Sequence, residues 1–444
     1  MKDFRSAFHI IGILLCIESI TMLIPMIIDL AYQNSDWQIF MFSSFLTFFI
    51  GLVLYFSFRG QKNKIKLREA FILTVLSWTI IALFSSLPFI FSSSNLDFTD
   101  AFFESISGIT TTGSTVIVQL DSLSEGILIW RAFLQWFGGI GIIVLALSIL
   151  PTLQIGGMQL LHMEHDDPYE KTLPKIGQFV FEIFLIYLFV TIICAAFYFL
   201  AGMSSFDAVS HAMTTISTGG FSTHDSSFGS FNSASIEWIS VLFMIVGSLP
   251  FVVYLKTIHG DWKYFIKDDQ IKLFIILVVT IVGLTTIWLS INSSENYLYL
   301  FRIATFNITS ILTGTGYSSS NFSQWGGFGL VIMFMIMFIG GCAGSTTGGI
   351  KIFRFLLLFR AAKSQIKKIT QPHGVFLTTF NQKSVAEDTV NSVMIFFFIY
   401  ILIFFLAAAL LSFLGLDFLT AISASASAIS NVGPGLGDVI GPLG

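Results

Sequence analysis

The chain holds 444 residues, of which 55% are hydrophobic and only 11% charged, with 50 phenylalanines and a formal net charge of −4. A soluble domain carries roughly 25% charged residues, so this composition, with a mean hydropathy of +0.84, excludes an ordinary soluble protein and points to repeated passage through a membrane. The net charge says little about partners; where each charge falls says more.

Runs of about 20 apolar residues, enough to cross a hydrocarbon core of roughly 30 Å, are predicted at 8–30, 38–57, 70–92, 126–150, 178–202, 236–255, 271–291, 327–343 and 389–414. They read as helices, because only helices or closed barrels satisfy their backbone in lipid, and these runs are too long and unalternating for barrel strands. The run from Phe8 has another membrane-length segment after it and no small-residue cleavage site, so it is predicted to be a retained span. Four shorter segments, 99–115, 206–222, 301–318 and 417–435, begin near an acidic or aromatic residue and end in Ser, Thr and Gly. These are too short and polar to span. Cys16, Cys194 and Cys342 lie in apolar or glycine-rich stretches and read as packing residues, with no disulfide framework to infer.

Charge tests the topology. With the N-terminus inside and the four short segments re-entrant from outside, nearly all basic residues fall on the inner side: Lys2, Arg5, Arg59, Lys62, Lys64, Lys66, Arg68, Lys171, Lys175, Lys256, Lys263, Lys267, Lys272, Lys351, Arg354, Arg360, Lys363, Lys367, Lys368 and Lys383. Arg131 and Arg302 are the two exceptions among 22 Lys and Arg. This is a positive-inside pattern, and it would be scrambled if a short segment crossed. Non-helical backbone at membrane depth is tolerated only inside protein or around water. The outer side collects acids, among them Asp29, Asp36, Asp97, Asp100, Asp121, Glu125, Asp207, Asp225, Glu237, Glu295 and Asp417. They are either ordinary solvated loop residues or an acidic vestibule that concentrates cations.

The short segments are copies of one another. "ESISGITTTGST", "HAMTTISTGGFS", "NITSILTGTGYS" and "SASAISNVGPG" align without gaps on Gly113, Gly220, Gly316 and Gly433, about 100 residues apart. Before the glycine lie Thr111 and Thr112, Thr218 and Gly219, Gly314 and Thr315, and Asn431 and Val432; after it lie Ser114, Phe221, Tyr317 and Pro434. An internal repeat of span, half-helix, glycine strand and span follows. A dehydrated cation in a membrane loses tens of kcal/mol of solvation, and rings of backbone carbonyls can replace its water. Turning carbonyls toward one axis calls for dihedrals that glycine takes without strain. The carboxyl end of each half-helix would point its partial negative charge the same way. The competing reading, small residues at helix contacts, does not require four copies in register.

These residues resemble the Trk/Ktr/HKT superfamily of potassium transporters, most closely its bacterial TrkH-type subunit. "ISTGGFSTHD" at 216–225 and "GGCAGSTTGGIKIFR" at 340–354 carry the match, which covers nearly the whole chain. The resemblance implies an all-α polytopic membrane protein: an N-terminal two-helix hairpin (1–60), then four pseudo-symmetric span–pore loop–span repeats around one pore. These repeats would be 69–150, 178–258, 270–360 with a broken second helix, and 387–444, incomplete because no span follows its loop. In the family that missing helix carries an arginine reaching toward filter and gate, a role no position here receives. The implied filter is Thr111, Thr112, Gly113, Thr218, Gly219, Gly220, Gly314, Thr315, Gly316, Asn431, Val432 and Gly433. The implied gate is an intramembrane loop with Gly340, Gly341, Gly344, Ser345, Thr346, Thr347, Gly348, Gly349 and Lys351. That loop is not a phosphate-binding loop, because Ile350 separates Gly349 from Lys351 and the Gly-Lys-Ser/Thr order is absent. K+ would be the transported ion, with no organic cofactor. Lipid, a second copy and a cytoplasmic TrkA-type nucleotide-binding subunit would be the partners, with no nucleic acid. The setting would be the bacterial inner membrane, the N-terminus cytoplasmic.

His162, Glu164, His165, Asp166 and Asp167 are metal-ligand types, but a solvated cytoplasmic connector or a docking surface is the preferred reading. His211 follows Asp207 by four residues on the second pore helix, so a helix-face hydrogen bond is expected. Glu104 occupies the matching position in the first repeat, and both are placed to buttress the filter. A secondary transporter coupling K+ or Na+ to H+ or Na+ is the alternative. It would need acids or histidines deep in the spans, where Glu18 and Glu182 are the candidates, each read as lying toward a helix end. An intramembrane enzyme would need a paired nucleophile and base, and none is spaced for it.

Overall fold

The structure is a computed structural model that describes residues 5–60, 67–148 and 176–437. It is almost entirely helical. The first span is α1 (Arg5–Thr21) continued by α2 (Leu23–Tyr32), and α3 (Trp37–Ser57) returns beside it. Close approach here depends on small residues: a Cβ on Gly12 would meet the Gly51 carbonyl at 2.8 Å, and Cys16 Sγ packs on Gly51. Such seams let helices associate without a hydrophobic driving force between them.

A four-part pattern then recurs. α4 (Leu67–Ser85) and α5 (Leu87–Phe91) form a span, α6 (Phe98–Ile109) is a short helix, and α7 (Glu125–Ser148) is a second span. Next come α8 (Ile176–Leu200), short α9 (Ser205–Ile216), and the pair α10 (Ala234–Ser248) and α11 (Phe251–Ile258). After the small α12 (Lys263–Lys267) come α13 (Asp269–Asn292), short α14 (Tyr297–Leu312), α15 (Gly326–Met337) and α16 (Ile352–Thr370). A two-stranded hairpin, β1 (Thr379–Phe380) with β2 (Lys383–Ser384), precedes α17 (Glu387–Phe413) and short α18 (Phe418–Ser430).

Among the described residues seven helices are long and apolar enough to cross a membrane, or eight if α10 and α11 count as one bent span. The short helices have 12, 12, 16 and 13 residues. Twelve residues rise about 18 Å, well short of a hydrocarbon core. The outer surface suits lipid: Phe398, Phe405 and Phe413 on α17 are exposed, and only 17% of that helix's most apolar window is buried.

Four expectations change. The run 327–343 is helical only over Gly326–Met337, 12 residues, because the glycines that follow at 340, 341 and 344 disfavour a continued helix. The run 236–255 is not one helix, because α10 and α11 meet at 89°. Pro250 lies at the break, where it has no N–H to donate and its ring disfavours a continued helix. Glu18 is not at a span's end. It lies in the middle of the 28-residue run Arg5–Tyr32, buried, and accepts from Ser85 Oγ at 2.5 Å. Nor are the outer acids all solvated. Asp29 and Asp36 are buried; Asp29 Oδ1 accepts from Gly126 N at 2.7 Å at the start of α7, and Asp36 Oδ2 accepts from the hydroxyls of Ser93 and Ser124.

Candidate functional site: a ring of four loops

Each short helix begins with a side-chain cap. Asp97, Ser204, Asn296 and Asp417 accept from the N–H of Asp100, Asp207, Leu298 and Thr420. Such caps satisfy donors that the first helical turn leaves free. The carboxyl ends also match. Thr112, Gly219, Thr315 and Val432 donate their N–H groups to the carbonyls of Ser107, Thr214, Ser310 and Ser427 at 2.9, 2.9, 2.9 and 3.0 Å. This six-to-one closure is the Schellman turn, which requires a left-handed residue just before the donor. Those residues are Thr111, Thr218, Gly314 and Asn431, with φ of 59°, 50°, 69° and 61°. Glycine was expected wherever the loop departs from ordinary dihedrals, yet three of these four carry side chains. The closing hydrogen bonds offset a cost that glycine would avoid.

Two residues on, Gly113, Gly220, Gly316 and Gly433 have φ of 83°, 83°, 83° and 104°. The intervening residues are not left-handed, so φ alternates in sign along every loop. The alignment on these four glycines is therefore the alignment of the backbone itself.

The four loops also meet. A Cβ on Gly113 would fall within 3.0 Å of the Gly219 carbonyl oxygen, one on Gly220 against that of Thr315, one on Gly316 against Val432, and one on Gly433 against Thr112. Every ring glycine thus abuts the carbonyl just ahead of the next loop's glycine, and the fourth contact returns to the first loop. The ring closes in chain order. The predicted residues of all four loops are brought together, with short-helix carboxyl ends, the negative poles of their dipoles, directed at it.

Behind the ring, each loop is tied back to its own helix by a different residue. Glu104, nine residues before Gly113, accepts from Thr115 Oγ1 and Val116 N at 3.0 Å. His211, nine before Gly220, bonds Ser222 Oγ at 3.0 Å through Nε2, while Nδ1 meets the Asp207 carbonyl. Asn307, nine before Gly316, accepts from Ser319 N at 3.2 Å and donates to Ser319 Oγ at 3.0 Å. In the fourth loop Ala424 stands at that offset, and its neighbour Ser423 accepts from Leu436 N at 3.0 Å. The expectation that Glu104 and His211 buttress the loops agrees with this geometry; Asn307 and Ser423 went unnoticed. The constant offset of nine would have found Asn307.

The two cations outside the positive-inside pattern are both paired. Arg131 Nε lies 2.8 Å from Glu104 Oε1, with both side chains buried. Its Nη1 donates to the Ser222 carbonyl at 2.9 Å and its guanidinium stacks 4.1 Å from the Phe221 ring. Arg302 pairs with Glu237 at 3.3 Å. Tyr317 reaches from the third loop to the second helix, where its hydroxyl meets Thr214 Oγ1 at 2.5 Å.

Residues 338–351 form the irregular stretch between α15 and α16. It closes on itself through Gly340 N to the Ile350 carbonyl at 3.0 Å. It also takes up what the break in α10–α11 leaves free: Cys342 N donates to the Ser248 carbonyl at 3.0 Å, Thr346 Oγ1 to that of Gly247 at 3.0 Å, and Phe251 N to that of Gly344 at 3.0 Å. Thr346 Oγ1 accepts from Thr218 Oγ1 at 3.1 Å, and a Cβ on Gly348 would crowd the Ser430 carbonyl. Ser345 Oγ and Thr347 Oγ1 are 2.9 Å apart, and Lys351 Nζ caps the Thr347 carbonyl. Gly341 and Gly349 lie against Thr347 and Gly340 respectively. The predicted gate residues therefore lie together, against the second and fourth loops.

At one end of the ring, His224 bonds Asp121 Oδ1 at 2.5 Å and lies 3.7 Å from Asp207 Oδ1. The Asp207 carboxylate beside it, reinforced by the hydrogen bond with Asp121, raises its pKa from 6.5 to about 9 against the opposing effect of burial. The group His162, Glu164, His165, Asp166 and Asp167 lies outside the described residues.

The chain is similar to known proteins along nearly its whole length. The sequence profile of the TrkH family, described as a cation transport protein, matches residues 37–441. The Trk system potassium uptake protein TrkI of Halomonas elongata is 38% identical, covering 100% of this chain and 90% of its own length. The Trk system potassium uptake protein TrkH of Escherichia coli K12 is 38% identical, over 98% of this chain and 91% of that protein. The crystal structure of the potassium transporter TrkH from Vibrio parahaemolyticus superposes with a TM-score of 0.91 at 39% identity, over 99% of this chain and 92% of that one.

Proposed function

The chain belongs to the TrkH family of cation transport proteins, and from that premise we propose that it is the K+-translocating subunit of a bacterial Trk-type uptake system. The closed ring of loops carries the reading. Four backbone strands with one repeated dihedral pattern are held edge to edge, as needed for carbonyl oxygens to replace the water of a dehydrated cation. In this reading Thr111 to Gly113, Thr218 to Gly220, Gly314 to Gly316 and Asn431 to Gly433 form the filter. The stretch holding Gly340, Gly341, Gly344, Ser345, Thr346, Thr347, Gly348, Gly349 and Lys351 is the gate, supported by its contacts with Thr218 and Ser430. The segments 69–150, 178–258, 270–360 and 387–444 are the four pore units, after an N-terminal hairpin at 1–60. The N-terminus faces the cytoplasm of a bacterial inner membrane, in keeping with the charge pattern. A second copy and a TrkA-type nucleotide-binding subunit complete the assembly, the latter on the inner face.

Coupling of K+ or Na+ to H+ or Na+ is the second reading. One observation favours it: buried mid-span Glu18, whose Oε2 has no hydrogen-bond partner among the described residues. The deciding experiment is Rb+ and Na+ uptake into proteoliposomes holding the full chain, with and without an imposed pH gradient. Rb+ entry competed by K+ supports the pore reading, and dependence on the pH gradient that vanishes in Glu18→Gln supports coupling. Absence of any cation flux from folded protein would remove the ring's transport role.

A further inference from the structure

Loop 2 departs from the others at one position. Immediately before the ring glycine the other loops place Thr112, Thr315 and Val432, and loop 2 places Gly219. The reason lies on α7. Gln135 is fully buried one turn beyond Arg131, and its carboxamide runs along loop 2. Nε2 donates to the Gly219 carbonyl at 2.6 Å, and Oε1 accepts from Phe221 N at 3.0 Å. Only this orientation of the amide sets donor to acceptor at both ends. A Cβ on Gly219 would fall within 3.0 Å of the Gln135 side chain, so the amide fills the volume that the other loops give to their own side chains.

The Gly219 oxygen is also the one that meets Gly113 across the ring. A carbonyl oxygen has two lone pairs, and here one is spent on the amide. Among the described residues, no hydrogen bond reaches the corresponding oxygens of Thr112, Thr315 or Val432. One of four equivalent ligands is thus partly withdrawn, and the polarised amide N–H adds partial positive charge beside it. The number and field strength of carbonyl dipoles govern which cation exchanges its water for the ring. A smaller ion of the same charge gains more from a strong oxygen field, so weakening one ligand penalises Na+ more than K+ or Rb+.

We propose that Gln135 is a positioning residue that tunes ion selectivity, by holding loop 2 and withdrawing part of the Gly219 carbonyl from the ring. This rests on the filter reading above. The test is the Rb+-to-Na+ uptake ratio of the full chain in proteoliposomes, for wild type, Gln135→Met and Gly220→Ser. Methionine keeps the length and bulk but neither donates nor accepts through an amide. The expected result for Gln135→Met is retained Rb+ flux with a ratio lowered about threefold or more. If Gln135→Met does not fold, the pair Gln135→Ala with Gly219→Ala takes its place, since the added Cβ refills the vacated volume, and the same fall in ratio is expected. A wild-type ratio in the folded Gln135 variant, beside a changed ratio in Gly220→Ser, overturns the role of Gln135 and leaves the filter reading standing. Wild-type ratios in both overturn the filter reading and this inference together.

Discussion

The first and fourth loops have the same backbone and opposite chemistry behind it. Loop 1 is anchored by a buried ion pair, Glu104 with Arg131, which also holds Thr115 and the Ser222 carbonyl of its neighbour. Loop 4 is anchored by Ser423, bonded to both polar groups of Leu436. Loops 2 and 3 lie between these extremes, with an imidazole at His211 and an amide at Asn307. The dihedrals and closing turns are common to all four loops, whereas the braces are local solutions to one problem, a polar strand that must be satisfied without water. What differs is the penalty for losing a brace, since a stranded buried charge costs far more than a stranded hydroxyl partner.

That difference can be broken first at loop 1. Glu104→Ala leaves Arg131 buried without its carboxylate and should cost about 3–5 kcal/mol, seen as a large drop in the thermal midpoint of the detergent-purified protein. Adding Arg131→Leu should recover a substantial part of the loss. If the double variant is no better than the single, the ion pair is not what makes loop 1 costly to disturb.

The neutral braces should answer in graded fashion. Asn307→Ala strands the Ser319 N–H and its hydroxyl partner and is expected to cost about 1–3 kcal/mol, and Ser423→Ala, one hydroxyl, about 1 kcal/mol. The same thermal midpoints order the three sites, and equal losses at Glu104 and Ser423 would remove the distinction.

The smallest effect expected is pH-dependent. His224 titrates near 6.5 when unperturbed and at about 9 here. A raised folded-state pKa means the stabilisation is complete below pH 6.5 and is lost as pH rises through about 9. Asp121 and Asp207 lie against the His224 imidazole, and the His211 imidazole stacks beside it. Wild type should therefore exceed His224→Gln in thermal midpoint by most at pH 6, with the gap closing by pH 10. A gap that widens with pH would contradict the assignment.

Much of this was legible in the sequence. The four glycines, their common register and the break after Ile339 are composition signals strong enough to survive without coordinates. The braces were harder to read because Glu104, His211 and Asn307 share an offset but no chemistry, and Ser423 sits one residue off even that. Gln135 gave no signal, since an isolated amide within an apolar run is informative only once Gly219 is known to face it. The bend at Pro250 was present as a single proline in a run whose hydropathy masked it. Arg131 read as a topological exception because the acid that neutralises it lies 27 residues away in sequence.

Under the function proposed above, the four loops make one ring around one cation path. The most direct measurement is the Rb+-to-Na+ uptake ratio for Gly113→Ser, Gly220→Ser, Gly316→Ser and Gly433→Ser, each made singly and checked for folding. An added Cβ at any of these meets the carbonyl of the next loop, so all four variants should depart from the wild-type ratio or lose flux. If any folded variant keeps both the wild-type flux and the wild-type ratio, that loop does not belong to the ion path and the four loops are not one filter.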